Sequence, residues 1–250
     1  MGQNCKCSII TVCFNSEKSI ENTIKSVLNQ TYGNIEYIIV DGGSSDSTVD
    51  IIKKYEPLFE GRLKWISEKD DGIYYAMNKG IDMSTGDLIG ILNSDDTYEP
   101  GAVEIMCSAY DGGKMMVLYG AMRVYDGDRF LREKMISHRE LPENMICHPA
   151  CFVSRNVYEK YGKFNTKYVS AADYELMIRY SNIPDIEFLP VNEVISNFHM
   201  GGMSGSDAAF MDLLKLKSDL GMIRKSKYNW HRFVYFLMSI KRKMFSIGRG

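Results

Sequence analysis

Short apolar runs recur along the N-terminal part of the chain, and segments with apolar residues at helical spacing separate them. Cys7–Cys13 (CSIITVC) reads as a β-branched strand ending at Asn15-Ser16. Glu17–Asn29 carries Ile20, Ile24, Val27 and Leu28 on one helical face. Ile35–Val40 (IEYIIV) is a second strand that stops at Asp41-Gly42-Gly43. The next helix carries Val49, Ile51, Ile52 and Tyr55, with Asp46 or Ser47 as its cap. Arg62–Ile66 forms a third strand, Ile73–Met83 a helix, and Asp87–Leu92 (DLIGIL) a fourth strand ending at Asn93-Ser94-Asp95-Asp96. This alternation predicts βαβ units and a parallel sheet, an α/β fold.

Beyond Pro100 the alternation loosens. Met115–Leu118 and Ala121–Tyr125 read as two strands, Asp126-Gly127-Asp128 as a turn, Ala150–Ser154 as a strand and Arg155–Tyr161 as a short helix. Ala171–Tyr180 is an amphipathic helix, Ile186–Phe188 and Val191–Ser196 are strands, and Asp207–Leu220 and Tyr228–Phe245 are helices. No repeat or low-complexity linker divides the chain. We therefore expect one domain over 1–221, with a nucleotide-binding half (1–100) and an acceptor half (101–221), followed by a basic amphipathic helix over 222–250.

Composition changes this picture at one end only. The formal net charge of -2 points to no partner, but residues 222–250 hold eight Lys or Arg and no Asp or Glu. There Arg224, Lys225, Lys227 and Arg232 interleave with Trp230, Phe233 and Tyr235, a composition suited to the interface of an anionic bilayer. Packing on the core with a wet basic side is the other reading. An excess of basic over acidic residues that is confined to the tail argues against nucleic acid. Cys7–Phe14 is too short an apolar stretch for an export signal, and Phe233–Ile240 is far below the roughly 20 residues that span a bilayer. A cytoplasmic protein, peripheral at the inner face of the membrane, is the expectation. Cys5-x-Cys7 and Cys147-x3-Cys151 lack the paired spacing of a structural zinc site, so the six cysteines are expected as reduced thiols.

Ligands of open α/β sheets bind outside the carboxyl ends of the strands, and here three strands end in FNS, DGGSSD and NSDD. Asp95 and Asp96 are adjacent carboxylates at the mouth of a buried strand, a costly pair without a cation. A divalent metal of the Mg or Mn type takes one or two carboxylates and fills its shell with substrate phosphates. The alternative is a solvated turn. Asp41 suits a nucleobase or ribose donor, and Gly42 lets backbone approach a flat ligand. The GxGxxG dinucleotide fingerprint is absent. In SEKDDGIYYAMNKG, Glu68, Asp70 and Asp71 suit a site-lining loop or an acidic helix cap, and Asn78 and Lys79 lie a turn later, within reach of a phosphate or sugar.

TVCFNS, VDGGSSDST, SEKDDGIYYAMNKGI and GDLIGILNSDD, in this order and spacing, resemble the family 2 glycosyltransferases of the GT-A fold, between residues 7 and 200. The resemblance implies a Rossmann-like, mixed and mostly parallel sheet flanked by helices, here with a C-terminal helical extension. It implies that Asn15 and Asp41 contact the nucleoside, usually uridine, that Asp71 holds the base or ribose, and that Lys79 lies near the diphosphate. Asp95 and Asp96 take the place of the family's DXD-type metal motif, with Asp96 the more direct ligand, and Asn93 stands where Asp is common. Inverting transfer needs a base for the acceptor hydroxyl, and Asp173 in Ser-Ala-Ala-Asp-Tyr-Glu-Leu matches it, although the family usually shows Glu before that Asp. A dipole-stabilised helix start is the alternative for Asp173, and Glu175 is the reserve base. His148 would line the donor or acceptor pocket. His199, before Met200-Gly201-Gly202-Met203-Ser204, is a further metal ligand or a surface-loop histidine.

The implied function is inverting transfer of a sugar from a nucleotide-diphosphate donor, chiefly a UDP-sugar, to a glycan hydroxyl, with Mn or Mg and a lipid-linked acceptor of surface polysaccharide synthesis. Two rivals stand beside it. A metal-dependent nucleotidyltransferase would release pyrophosphate, and a non-catalytic, membrane-associated nucleotide-binding protein would show no turnover.

Overall fold

The structure, a computed structural model, describes residues 5–141, 143–201 and 206–235. Strands β1 (Cys7–Cys13), β2 (Ile35–Asp41), β3 (Leu63–Ser67) and β4 (Leu88–Ile91) lie in the order β3-β2-β1-β4, all parallel. Helices α1 (Ile20–Leu28), α2 (Thr48–Tyr55) and α3 (Ile73–Met83) form the crossovers. Every residue of β1 and β2 is buried, which is why these strands read as continuous apolar runs rather than alternating ones. Helix α3 lies close on β1. A Cβ at Gly80 would sit 2.4 Å from Ile10 Cγ2, so glycine sets that approach. Ser47 occupies the N-cap position of α2 without a side-chain cap bond, and Asp46 before it accepts from the Thr48 N–H through Oδ1 at 3.0 Å.

The second half adds β5 (Thr97–Tyr98), α4 (Ala102–Ala109), β6 (Met116–Asp126), β7 (Arg129–Lys134), β8 (Cys151–Ser154), α5 (Arg155–Tyr161), α6 (Ala172–Ser181) and β9 (Glu187–His199). The nine-stranded sheet continues from β4 as β8-β6-β9-β5, with β7 hairpinned onto β6. Strand β8 runs antiparallel to β4 and β6, and β9 runs parallel to β6, so the sheet is mixed and mostly parallel.

Two pairs of expected strands are single strands. Met115–Leu118 and Ala121–Tyr125 merge into β6 through Gly120, and Ile186–Phe188 and Val191–Ser196 merge into β9 through Pro190. The register between them shifts around Gly120. A Cβ there would meet Ile195 Cγ1 at 2.4 Å and the Glu193 carbonyl at 2.8 Å, so the glycine marks close backbone approach rather than a break. Helix α4, the short β5 and the exposed β7 lie outside the expected elements.

The chain forms two compact units, Met1–Lys167 with Ala172–Gly202, and Tyr168–Ala171 with Met203–Gly250. In the second, α7 (Asp207–Asp219) places Asp212 Oδ2 within 2.8, 2.9 and 3.1 Å of the backbone N–H groups of Val169, Ser170 and Ala171. The helix expected over Tyr228–Phe245 already runs at 225, and its part beyond residue 235 lies outside the described residues, as does most of the glycine segment after Gly201. Among the described residues no helix is long and apolar enough to cross a membrane.

One buried carboxylate ties the N-terminal ends of the parallel strands together. Glu36 on β2 accepts from Ser8 Oγ at 2.8 Å, Lys64 Nζ at 2.7 Å and the Thr85 N–H at 2.8 Å. Burial alone would raise its pKa, but these donors outweigh it and hold the carboxyl at about 2. Because the folded-state value is depressed, the stabilisation is complete above the ordinary glutamate pKa and is lost as pH falls through the folded value. Glu36→Gln is expected to lower stability at neutral pH by about 2 kcal/mol. In urea unfolding at a series of pH values, the gap from wild type should narrow below about pH 4.

Candidate active site

In the order β3-β2-β1-β4, the chain steps from β1 to one side for β2 and β3 and then returns past β1 to place β4 on its other side, so the crevice of this sheet opens at the carboxyl ends of β1 and β4. The loops after these strands meet there. Ser16 Oγ and Ser94 Oγ lie 2.9 Å apart, and Leu92 N–H donates to the Ile10 carbonyl at 2.8 Å. Asn15 has a left-handed backbone (φ 49°) and its Oδ1 accepts from the Ser45 N–H at 2.9 Å. Phe14 beside it is 64% exposed and lies against the edge of Gly42.

Asp41, at the end of β2, is fully buried. Its Oδ2 accepts from the Gly43 and Ser44 N–H groups at 3.1 and 2.9 Å and from Ser67 Oγ at 2.6 Å, and its Oδ1 accepts from Ser44 Oγ and Cys13 Sγ. Burial would raise its pKa, but these bonds win and hold it below the ordinary aspartate value. A carboxylate so fully engaged organises the Gly42–Ser45 turn. Asp41, expected at the nucleoside, is thus the residue on which this turn is built, with Phe14, Asn15 and Gly42 beside it.

The loop after β3 is braced in the same way. Lys79 on α3 forms ion pairs with Asp70 and, at 2.7 Å, with Glu68. Lys79, expected near the diphosphate, thus ties this loop to the helix. Asn78 is likewise committed, exchanging two 3.0 Å hydrogen bonds with the Phe164 backbone. Asp71 is exposed, and its side chain has no partner among the described residues.

The turn after β4 holds the most unusual group. Asp96 is fully buried. Its carbonyl accepts from Thr23 Oγ1 of α1 at 2.7 Å, its N–H donates to the Asn93 carbonyl at 3.1 Å, and its Oδ1 accepts from the His199 N–H of β9 at 3.0 Å. Its Oδ2 has no partner among the described residues, nor do Asn93 Oδ1 and His199 Nδ1, and all three are buried. Burial, aided by the Asp95 charge, pushes the Asp96 carboxyl well above the ordinary range, and burial also raises Asp95. His199 stacks on Tyr125 with ring centroids 5.4 Å apart, which fixes its imidazole. Lone pairs left bare on a carboxylate, an amide and an imidazole in one buried corner fit a divalent cation. No three His, Cys, Asp or Glu side chains form a complete cage among the described residues, so such an ion would draw further ligands from a substrate.

Asp173 opens α6 and is partly buried. Its Oδ1 accepts from Tyr74 Oη at 3.0 Å and from the Tyr174 N–H at 2.9 Å. His148, in a short 3₁₀ turn (His148–Ala150), packs edge-on to Phe164. Burial lowers its pKa against the opposing Asp173 charge, so it is neutral at pH 7. Glu175, the reserve base, is taken by Arg179, whose Nε lies 3.0 Å from Oε1. All six cysteines are buried free thiols, and Cys151 Sγ donates to the Cys147 carbonyl.

The sequence family described as Glycosyl transferase family 2 matches residues 8–174. The chain belongs to this family. This family 2 chain is 29% identical over 225 residues to a PGL/p-HBAD biosynthesis glycosyltransferase of Mycobacterium bovis, covering 86% of each chain. Among solved structures it resembles S. aureus TarS 1-349 in complex with UDP-GlcNAc, with TM-score 0.70, 18% identity, and coverage of 89% of this chain and 69% of that one. It also resembles a mannosyltransferase of Pyrobaculum calidifontis in complex with GDP-Man and Mn2+, with TM-score 0.64, 16% identity, and coverage of 88% and 65%. The mixed sheet flanked by helices is the GT-A fold.

The sequence reading of this family 2 chain missed Thr23, Ser44, Ser67, Tyr74 and Phe164, which act through other residues. Only Tyr74 left a signal, the Tyr74-Tyr75 pair at a helix start where one ring is buried and the other is 41% exposed. Asp41→Asn should loosen the Gly42–Ser45 turn, with a stability loss of about 1–3 kcal/mol. Hydrogen exchange should quicken at the Gly43 and Ser44 amides and remain slow in β4.

Proposed function

We propose that this chain transfers a sugar from a nucleoside-diphosphate donor, chiefly a UDP-sugar, to a hydroxyl of a glycan, with inversion at the anomeric carbon. The observation that carries the proposal is Asp96, a buried carboxylate with one bare oxygen beside His199 at the crevice of a family 2 sheet. Asp96 with Asp95 and His199 would hold a divalent Mn or Mg ion, whose chemistry when bound is to neutralise charge on the leaving diphosphate.

Phe14, Asn15, Gly42 and Asp71 rim the nucleoside subsite, with Phe14 offering an aromatic face. Asp173 takes the proton of the acceptor hydroxyl through Oδ2, which has no partner among the described residues. As the acceptor oxygen bonds to the anomeric carbon, the carbon–oxygen bond to the diphosphate breaks and its electron pair leaves with the nucleoside diphosphate. His148, neutral beside Asp173, lines the sugar pocket without competing as a cation. Residues 1–100 serve the donor and 101–221 the acceptor.

Residues 222–250 rest on the cytoplasmic face of an anionic membrane, where lipid-linked acceptors of surface polysaccharide synthesis are presented. Exposed Trp230 and Phe233 beside Arg224, Lys225, Lys227 and Arg232 support this reading.

The test is product analysis with UDP-, GDP- and dTDP-sugars and a lipid-linked glycan acceptor. Release of nucleoside diphosphate with a lengthened glycan is expected, whereas released pyrophosphate would indicate nucleotidyl transfer. Asp96→Asn should reduce turnover at least ~100-fold with an unchanged far-UV spectrum. Near-normal turnover in that variant would remove the metal assignment. Loss of the 236–250 segment should weaken binding to anionic vesicles and leave donor hydrolysis intact.

A further inference from the structure

Helix α3 begins immediately after the donor-side loop, and its first turn reaches the acceptor side. Tyr74 is 6% exposed, stacks on Phe164 at 5.4 Å with planes 25° apart, and donates its hydroxyl to Asp173 Oδ1 at 3.0 Å. Phe164 is held in turn by the two Asn78 hydrogen bonds one turn further along α3, and Lys79 anchors the same helix to Glu68 and Asp70. The phenol is therefore fixed from both ends of the helix turn.

We propose that Tyr74 is a positioning residue for the base Asp173, holding Oδ1 so that Oδ2 is the oxygen presented to the acceptor hydroxyl. The proposal rests on the reading of Asp173 as the base. With Oδ1 occupied by the phenol and by the Tyr174 N–H, rotation of the carboxylate would break two bonds at once, so the reactive oxygen keeps one direction. Burial and the Asp173 charge raise the Tyr74 pKa, so the phenol stays a donor throughout the working pH range. The groups facing Asp173 from neighbouring elements are Tyr74 of α3, the neutral His148 and the thiol of Cys151 in β8.

The test is Tyr74→Phe, which keeps the ring stacked on Phe164 and removes only the hydroxyl. UDP release from a panel of UDP-sugars with the lipid-linked acceptor should show kcat reduced roughly 10- to 100-fold. The donor KM should stay within about twofold, a split that a general loosening of the site would not give. An unchanged kcat in Tyr74→Phe, while Asp173→Asn is inactive, would overturn the positioning role and leave Asp173 as base. Full turnover in Asp173→Asn would overturn the base reading and the positioning role together.

Discussion

A buried carboxylate with a bare oxygen is the constraint around which this molecule is arranged. Asp96 is removed from water at the end of β4, pinned through its carbonyl by Thr23 and through Oδ1 by the His199 amide, and left with Oδ2 unpaired. An isolated ionised carboxyl in such a place is too costly to keep without a compensating charge. The adjacent Asp95 makes the cost larger. Residues from α1, the turn after β4 and β9 are spent on holding this group still, which is intelligible if a cation and a phosphate-bearing ligand complete the corner.

The loops around that corner are stiffened by charge rather than by apolar packing. Asp41 gathers five donors into one turn, Lys79 bridges two carboxylates, and Asn78 staples α3 to the segment that carries Phe164. Each holds the loop or turn to which it belongs. The proposed site thus has an inner frame of committed polar groups, beside which Phe14, Asn15, Gly42, Asp71 and Asp173 Oδ2 are proposed to meet the substrates. Preorganisation of this kind lowers the ordering cost that a flexible sugar nucleotide would otherwise impose on binding.

Much of the frame was legible in the sequence because it rests on local pattern. β1, β2 and α3 follow from apolar runs and helical spacing, and the polar clusters FNS, DGGSSD and NSDD fall at strand ends where the crevice opens. What escaped was set by contacts distant in sequence. Gly120 and Pro190 read as breaks, yet β6 and β9 run through them because each has the other as a partner. The internal partners of Lys79 and Asp41 could not be read either, because residue type shows charge but not what engages it. The role of Tyr74 depends on Asp173, 99 residues away, and no periodicity connects the two.

The most direct test of the account is electron paramagnetic resonance of Mn²⁺ titrated into the purified protein with and without UDP. The account predicts weak binding of Mn²⁺ alone, a marked loss of the free-ion signal when UDP is present, and neither effect in Asp96→Asn. Equal Mn²⁺ uptake by wild type and Asp96→Asn, or UDP binding that is as tight in a metal chelator as in Mn²⁺, would contradict it.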